Sequence, residues 1–140
     1  LAKEKGLADV TLTAGKDDIE AAVFSLTEDR GADVVFEAAG GRDTFQTAWK
    51  IARPNATAVI VAMYEEPQML PLPDMYGKNL IFKTGRVDGS FCREIMELTA
   101  CGKLDAGFLI SHRYRLDDIM EAYRVFENKE DNVIKIAVKP

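Results

Sequence analysis

Metal ligands and catalytic nucleophiles are scarce in this chain. Its 140 residues include one histidine and two cysteines. His112 has no second histidine and no cysteine at ligand spacing, so a zinc site cannot be assembled around it. No serine stands in an elbow turn, which excludes a recognisable nucleophilic triad. The glycine-rich GxGxxG loop that cradles a pyrophosphate between strand and helix is also missing. Basic residues are outnumbered, 18 Lys and Arg against 23 Asp and Glu for a net charge of -5. That balance argues against a nucleic-acid partner, which would call for a basic stripe. No apolar run approaches the roughly 20 residues that cross a bilayer, so no membrane span is expected.

Cys92 and Cys101 fall in one expected helix, where nine residues separate them by roughly 13 Å along the axis and place them on opposite faces. They cannot bridge each other. Unpaired thiols suit a reducing cytoplasm, and no signal peptide opens the chain. The first residues, Leu1 to Gly6, read as the last turn of a helix with a glycine stop, which suggests a fragment.

What is present is an apolar share of 47%, enough for one core in a domain of this length. Asp33 to Gly41 organises the rest: Val34, Val35 and Phe36 lead through Glu37, Ala38 and Ala39 into Gly40 and Gly41. This reads as a buried strand ending in a tight strand-to-helix turn. Such turns hold ligands in open α/β sheets, although glycine also serves simply to turn the backbone.

Along the chain, Asp9 to Thr13 favours a short strand. Asp17 or Asp18 caps a helix with Ile19, Ala22, Val23 and Leu26 on one face. Phe45, Ala48, Trp49 and Ala52 give the next helix its apolar stripe, with Trp49 in the core. Pro54 and Asn55 make a turn, Ala56 to Ala62 a further strand, and the prolines between Met63 and Lys78 an extended loop or lid. A strand from about Leu80 to Thr84 runs into Gly85. Ser90 caps a helix carrying Phe91, Ile95 and Leu98 and closed by Gly102. Phe108 to Arg113 is extended and holds His112, read as a structural or interface residue. Asp118 and Glu121 fit a capping box for a helix with Ile119, Ala122, Tyr123 and Phe126 inward. Val133 to Val138 closes the chain as a strand. The alternation calls for an α/β fold with a mainly parallel sheet.

Four stretches, RGADVVFEAAGG (Arg30 to Gly41), RPN (Arg53 to Asn55), GKNLIFKTGRVDG (Gly77 to Gly89) and the ending from Gly102 to Pro140, resemble the coenzyme-binding part of zinc-type medium-chain alcohol and polyol dehydrogenases. The usual Arg-Pro-Gly-Gly turn is altered, with Asn55 and Ala56 in the glycine places. The resemblance implies an incomplete Rossmann-like, doubly wound parallel sheet, residues 1–140 forming part of an NAD(P)-binding domain. The zinc-bearing catalytic domain and the residue that chooses NAD or NADP would lie outside these residues. It also implies a partial cofactor wall: Ala39 and Gly40 beside the ribose and nicotinamide, Val61, Ala62 and Met63 at the carboxamide, Gly85 and Arg86 near the nicotinamide, and Lys135 toward the pyrophosphate. No catalytic or metal-ligating residue is carried over. The parent reaction is hydride transfer between a small alcohol and NAD or NADP, with zinc in the parent enzyme only.

In the complete fold two further strands stand between Asp9–Thr13 and Val34–Glu37. Their absence suggests that Asp9–Thr13 pairs directly beside Val34–Glu37, leaving one sheet face short of helices and favouring a homo-oligomer. Two other readings stand beside the dehydrogenase one: a non-catalytic α/β nucleotide-binding or assembly module, and a zinc-free quinone or enoyl reductase, which Ser111, His112 and Arg113 disfavour. Alone, the chain is expected to be inactive.

Overall fold

A computed structural model describes residues 1–85 and 89–140. The chain divides into two compact units, residues 1–87 and 88–140.

In the first unit, helix α1 (Ile19–Leu26) precedes strand β1 (Ala32–Glu37), helix α2 (Thr44–Ile51), strand β2 (Ala52–Ile60), the short helix α3 (Leu72–Met75) and strand β3 (Ile81–Thr84). Asp18 caps α1 by accepting the Ala21 N–H at 3.0 Å, which satisfies one of the amide donors a helix start leaves unpaired. The sheet is parallel in the order β1-β2-β3. Parallel pairing follows from the crossovers: α2 links β1 to β2, and the 61–80 segment links β2 to β3.

The expected strand at Asp9 to Thr13 does not form, and among the described residues β1 is paired with β2 alone. The cause lies at Thr13, whose carbonyl accepts from Lys16 and Asp17 while its N–H donates to the Asp17 carboxylate at 2.6 Å. That local turn spends the groups a ladder would need. Val34, Phe36 and Ile81, on one face of the sheet, are 51%, 70% and 54% exposed, so an apolar face is open without any strand rearrangement.

The Pro54–Asn55 turn is absorbed into β2 as a bulge. Ala32 pairs with Ala52 and Val34 with Thr57, so two steps on β1 match five on β2. Asn55 takes the extra residues round at φ +60, a conformation Asn tolerates. β2 accordingly ends at Ile60 rather than Ala62.

On the other face α2 packs against β1 and β2. One cluster joins Val35, Ala48, Ala52 and Ala56; a second joins Phe45, Trp49 and Ile60 with Tyr64, Met75, Leu80 and Phe82 around them. Phe45 and Trp49 are the large contributors, each stabilising by about 1.5–3 kcal/mol through burial. The indole N–H of Trp49 donates to Gln46 Oε1 at 2.8 Å. Lys78 closes the α2 end: its ammonium donates to the carbonyls of Trp49, Lys50 and Ala52 at 3.1, 2.6 and 2.8 Å and lies 5.5 Å from the Trp49 ring centre. A cation is favoured there by the helix dipole and the aromatic face.

The second unit holds helix α4 (Cys92–Ala100), strand β4 (Ile110–Arg115), helix α5 (Ile119–Glu127) and strand β5 (Lys135–Lys139), with β4 and β5 parallel. Phe91 occupies the N-cap of α4 without a side-chain bond, in place of the expected Ser90. Gly102 ends the helix at φ +73. Both cysteines are free and exposed.

The capping box at α5 does not form either. Arg124 holds Glu121 at 2.8 and 2.7 Å, so that carboxylate cannot reach back to the helix start. Ala122 and Val125 are the buried residues of α5, while Tyr123 and Phe126, 66% and 53% exposed, line with Ile119 and Ala122 an open cavity against Ile134, Ile136 and Val138. Among the described residues no helix is long and apolar enough to cross a membrane.

Candidate functional site

The carboxyl ends of β1 and β2 lie level, Glu37 opposite Ile60, and Ile60 is opposite Thr84 of β3. The residues that follow form a crest of turns along one sheet end, the position where parallel α/β sheets take ligands. Ala39 and Gly40 follow β1, Val61, Ala62 and Met63 follow β2, and Gly85 follows β3. These expected site residues therefore share one end of the sheet. Arg86 lies outside the described residues. Lys135 opens β5 in the second unit, where its backbone meets Ser111: the Lys135 carbonyl accepts from Oγ at 3.2 Å and its N–H donates to Oγ at 3.3 Å.

Glu37 ties the crest together, and the sequence reading passed over it. Its Oε1 accepts the N–H groups of Ala39 and Gly40 at 3.0 and 2.9 Å. Its backbone carbonyl accepts those of Val61 and Ala62 at 2.8 and 3.1 Å. The residue is 4% exposed, and its second oxygen, Oε2, finds no hydrogen-bond partner among the described residues. Burial opposes its charge. The nearby Tyr64 hydroxyl, the N–H of Gly40, the Thr44 hydroxyl and the N–H of Ala39 outweigh that and hold the carboxyl below its ordinary value. A carboxylate three residues before a glycine, at a strand end, is the signal that marks such a residue in sequence.

Gly40 is required by contact as well as by conformation. Its φ is +67, and a Cβ there would stand 2.6 Å from the Met63 carbonyl oxygen. The two turns touch at this point.

Beside the crest, a cavity of about 550 Å³ is lined by Glu37, Ala38, Ala39, Arg42, Thr44 and Thr47, among others. Its size suits a small ligand or part of a larger one. The amides at Ala39, Gly40, Val61 and Ala62 are spent on Glu37, so this end of the sheet offers carbonyls and side chains rather than an anion cradle. Acceptors of that kind fit the amide and hydroxyl donors of a nicotinamide nucleoside better than a pyrophosphate. Among the described residues no group of three or more His, Cys, Asp or Glu could hold a metal ion, so they do not fit a catalytic zinc.

His112 lies between Ser111 Oγ, 2.9 Å from Nδ1, and Asp131 Oδ2, 3.2 Å from Nε2. The arrangement is not a nucleophilic triad, because Ser111 Oγ already accepts the N–H of Ile134 at 2.8 Å and serves the β4–β5 junction.

Strand direction, crest and crossovers define a parallel α/β sheet of the Rossmann type. The family described as zinc-binding dehydrogenase matches residues 1–105. An alcohol dehydrogenase of Cupriavidus necator is 32% identical over 151 aligned residues, covering 100% of this chain and 39% of the relative. The NADP-dependent isopropanol dehydrogenase of Thermoanaerobacter brockii is 30% identical, covering 86% of this chain and 36% of the relative. Among solved structures, alcohol dehydrogenase TADH from Thermus sp. ATN1 superposes with a TM-score of 0.89 at 26% identity, covering 99% of this chain and 40% of that one. The chain belongs to the zinc-type medium-chain alcohol dehydrogenase family and corresponds to its C-terminal coenzyme-binding part. It spans well under half the length of these relatives.

Proposed function

We propose that this chain supplies one wall of the nicotinamide-coenzyme cleft of an alcohol dehydrogenase acting on a small alcohol. Residues 1–140 are read as part of its NAD(P)-binding domain. The observation that carries the reading is the crest: Ala39, Gly40, Val61, Ala62 and Met63, read as the family's strand-end residues, lie in the turns just past the adjacent parallel strands β1 and β2, locked by Glu37. When bound, NAD or NADP supplies the hydride acceptor or donor of the reaction. The chain's part is to orient the ring face with carbonyls of the crest and to shield it with Val61 and Met63. Lys135 and Gly85 are read as further cofactor contacts. The chain alone is inactive on this reading, since its described residues offer no zinc set and its sequence no phosphate loop. Its free, exposed thiols accord with a reducing cytoplasm.

The open face of Val34, Phe36 and Ile81 favours a second reading, an assembly module or homo-oligomer, which sedimentation at several concentrations resolves. The coenzyme reading is tested by titrating the ¹⁵N-labelled chain with NAD and with NADP. Shifts confined to the amides of Ala39, Gly40, Val61, Ala62 and Met63 are expected, without alcohol oxidation in the presence of zinc. Unmoved crest amides would refute the wall, and turnover by the pure chain would refute the inactivity.

A further inference from the structure

The crest owes its shape to a side chain that its reading as a coenzyme wall leaves unused. Glu37 Oε2 is a buried oxygen with no hydrogen-bond partner among the described residues, and a buried unpaired carboxylate oxygen carries a cost that calls for a compensating role. Oε1 alone holds the amides of Ala39 and Gly40, a task that a neutral amide oxygen could also perform. The second oxygen therefore needs its own explanation.

Two hydroxyls stand near it. Thr44, the first residue of α2, donates to the Gly41 carbonyl at 2.9 Å. Its proton is thus committed, which makes Tyr64 the donor in the 3.3 Å contact between the two hydroxyls. That contact is long for an O–H···O bond. Turning the same proton onto Oε2 replaces it with a charge-assisted bond, roughly twice as strong as a neutral one. Tyr64 directly follows Met63, so its hydroxyl is tethered to the second crest turn.

We propose that Glu37 is the positioning residue of the crest, with Oε1 fixing the Ala39–Gly40 turn and Oε2 serving as the acceptor for the Tyr64 hydroxyl, so that one carboxylate sets the spacing of both turns. The backbone supports the same coupling. The Glu37 carbonyl holds Val61 and Ala62, and Gly40 lies against the Met63 carbonyl. A displacement of either turn is passed to the other because the contact at Gly40 has no room to absorb it. The Tyr64 phenol is held above its ordinary value of 10.0, first by burial and then by Glu37, as expected for a proton that the carboxylate attracts. The proposal depends on the coenzyme reading only for what the crest holds.

The test uses the full chain with ¹³C-labelled tyrosine, comparing wild type, Glu37→Gln and Tyr64→Phe, the last also identifying the Tyr64 signal. In Glu37→Gln the Tyr64 titration midpoint is expected to fall toward its ordinary value. Glu66, which lines a cavity with Tyr64, and Arg42 and Asp43 ahead of α2 are identical in both proteins. In Tyr64→Phe, amide exchange is expected to accelerate about threefold or more, the equivalent of one weak hydrogen bond, at Ala39 and Gly40 as well as at Val61 and Ala62. Amides of α1 should keep their rates. An unmoved Tyr64 midpoint overturns the proposal, and so does exchange that rises uniformly through α1 and the crest. If Glu37→Gln does not fold, the exchange pattern of Tyr64→Phe decides alone. Failure of NAD and NADP to bind the wild type would remove the coenzyme reading and leave these two readouts to judge the positioning role.

Discussion

Replacing Gly40 by alanine adds one methyl group at the contact between the two crest turns. Gly40 has φ +67, and an L-residue pays roughly 1–2 kcal/mol for left-handed backbone. The new Cβ would also meet the Met63 carbonyl oxygen at 2.6 Å and Ala62 Cβ at 3.4 Å. That carbonyl belongs to a turn whose Val61 and Ala62 amides are bonded to Glu37, so it cannot simply retreat. Relief requires stretching the bond from Gly40 N–H to Glu37 Oε1, worth about 1.5–3 kcal/mol for a charged acceptor. The expected loss is therefore about 2.5–5 kcal/mol. Gly77→Ala is the control within the same unit, because Gly77 has φ +85 and nothing within 4 Å of its missing Cβ. It should lose only the conformational part, roughly 1–2 kcal/mol. Urea unfolding followed by the fluorescence of Trp49, the sole tryptophan and 5% exposed, reports both values. Equal losses in the two variants would show that the turns do not press on each other, and the account of the crest would fail.

Lys78→Met keeps the unbranched stem as far as Cε but removes the donor for the carbonyls of Trp49, Lys50 and Ala52. Burial holds the Lys78 ammonium below its ordinary value, so removing the charge also removes a desolvation cost, and the net loss is expected at about 1–3 kcal/mol. A urea midpoint equal to wild type would contradict the capping role. For Glu37, a folded-state value below the ordinary 4.5 means that its carboxylate stabilises the folded chain above pH 4.5, and that this contribution is lost as pH falls through the lower folded-state value. Glu37→Gln should accordingly flatten part of the acid limb of stability between pH 5 and the acid transition. An unchanged slope in urea midpoint against pH would refute the assignment.

The strands that proved legible in the sequence are those whose pattern and pairing agree. Val34 to Glu37 and Ile81 to Thr84 carry apolar, β-branched runs, and each finds a parallel neighbour in β2. Asp9 to Thr13 has the same local character and no ladder, because Thr13 and Asp17 satisfy each other and propensity alone cannot supply a partner. At α5 the helix and most of its inward side were readable: of Ile119, Ala122, Tyr123 and Phe126, Ala122 is buried and the other three line the groove toward β5, while the large rings stay half-open and Val125 takes the second buried place. The crest shows the same division. Its glycine and its strand ends are visible as a pattern, since φ > 0 and close approach restrict the residue type. Glu37 was hidden because a glutamate in a strand ordinarily reads as a solvent-facing residue, and only the turning back of Ala39 and Gly40 toward it makes its carboxylate an internal acceptor. Local sequence thus specified where the glycine turn stands, while the group that holds the turn is defined by contacts among residues 37, 40, 61 and 64. Those contacts come into being only once β1 and β2 lie side by side.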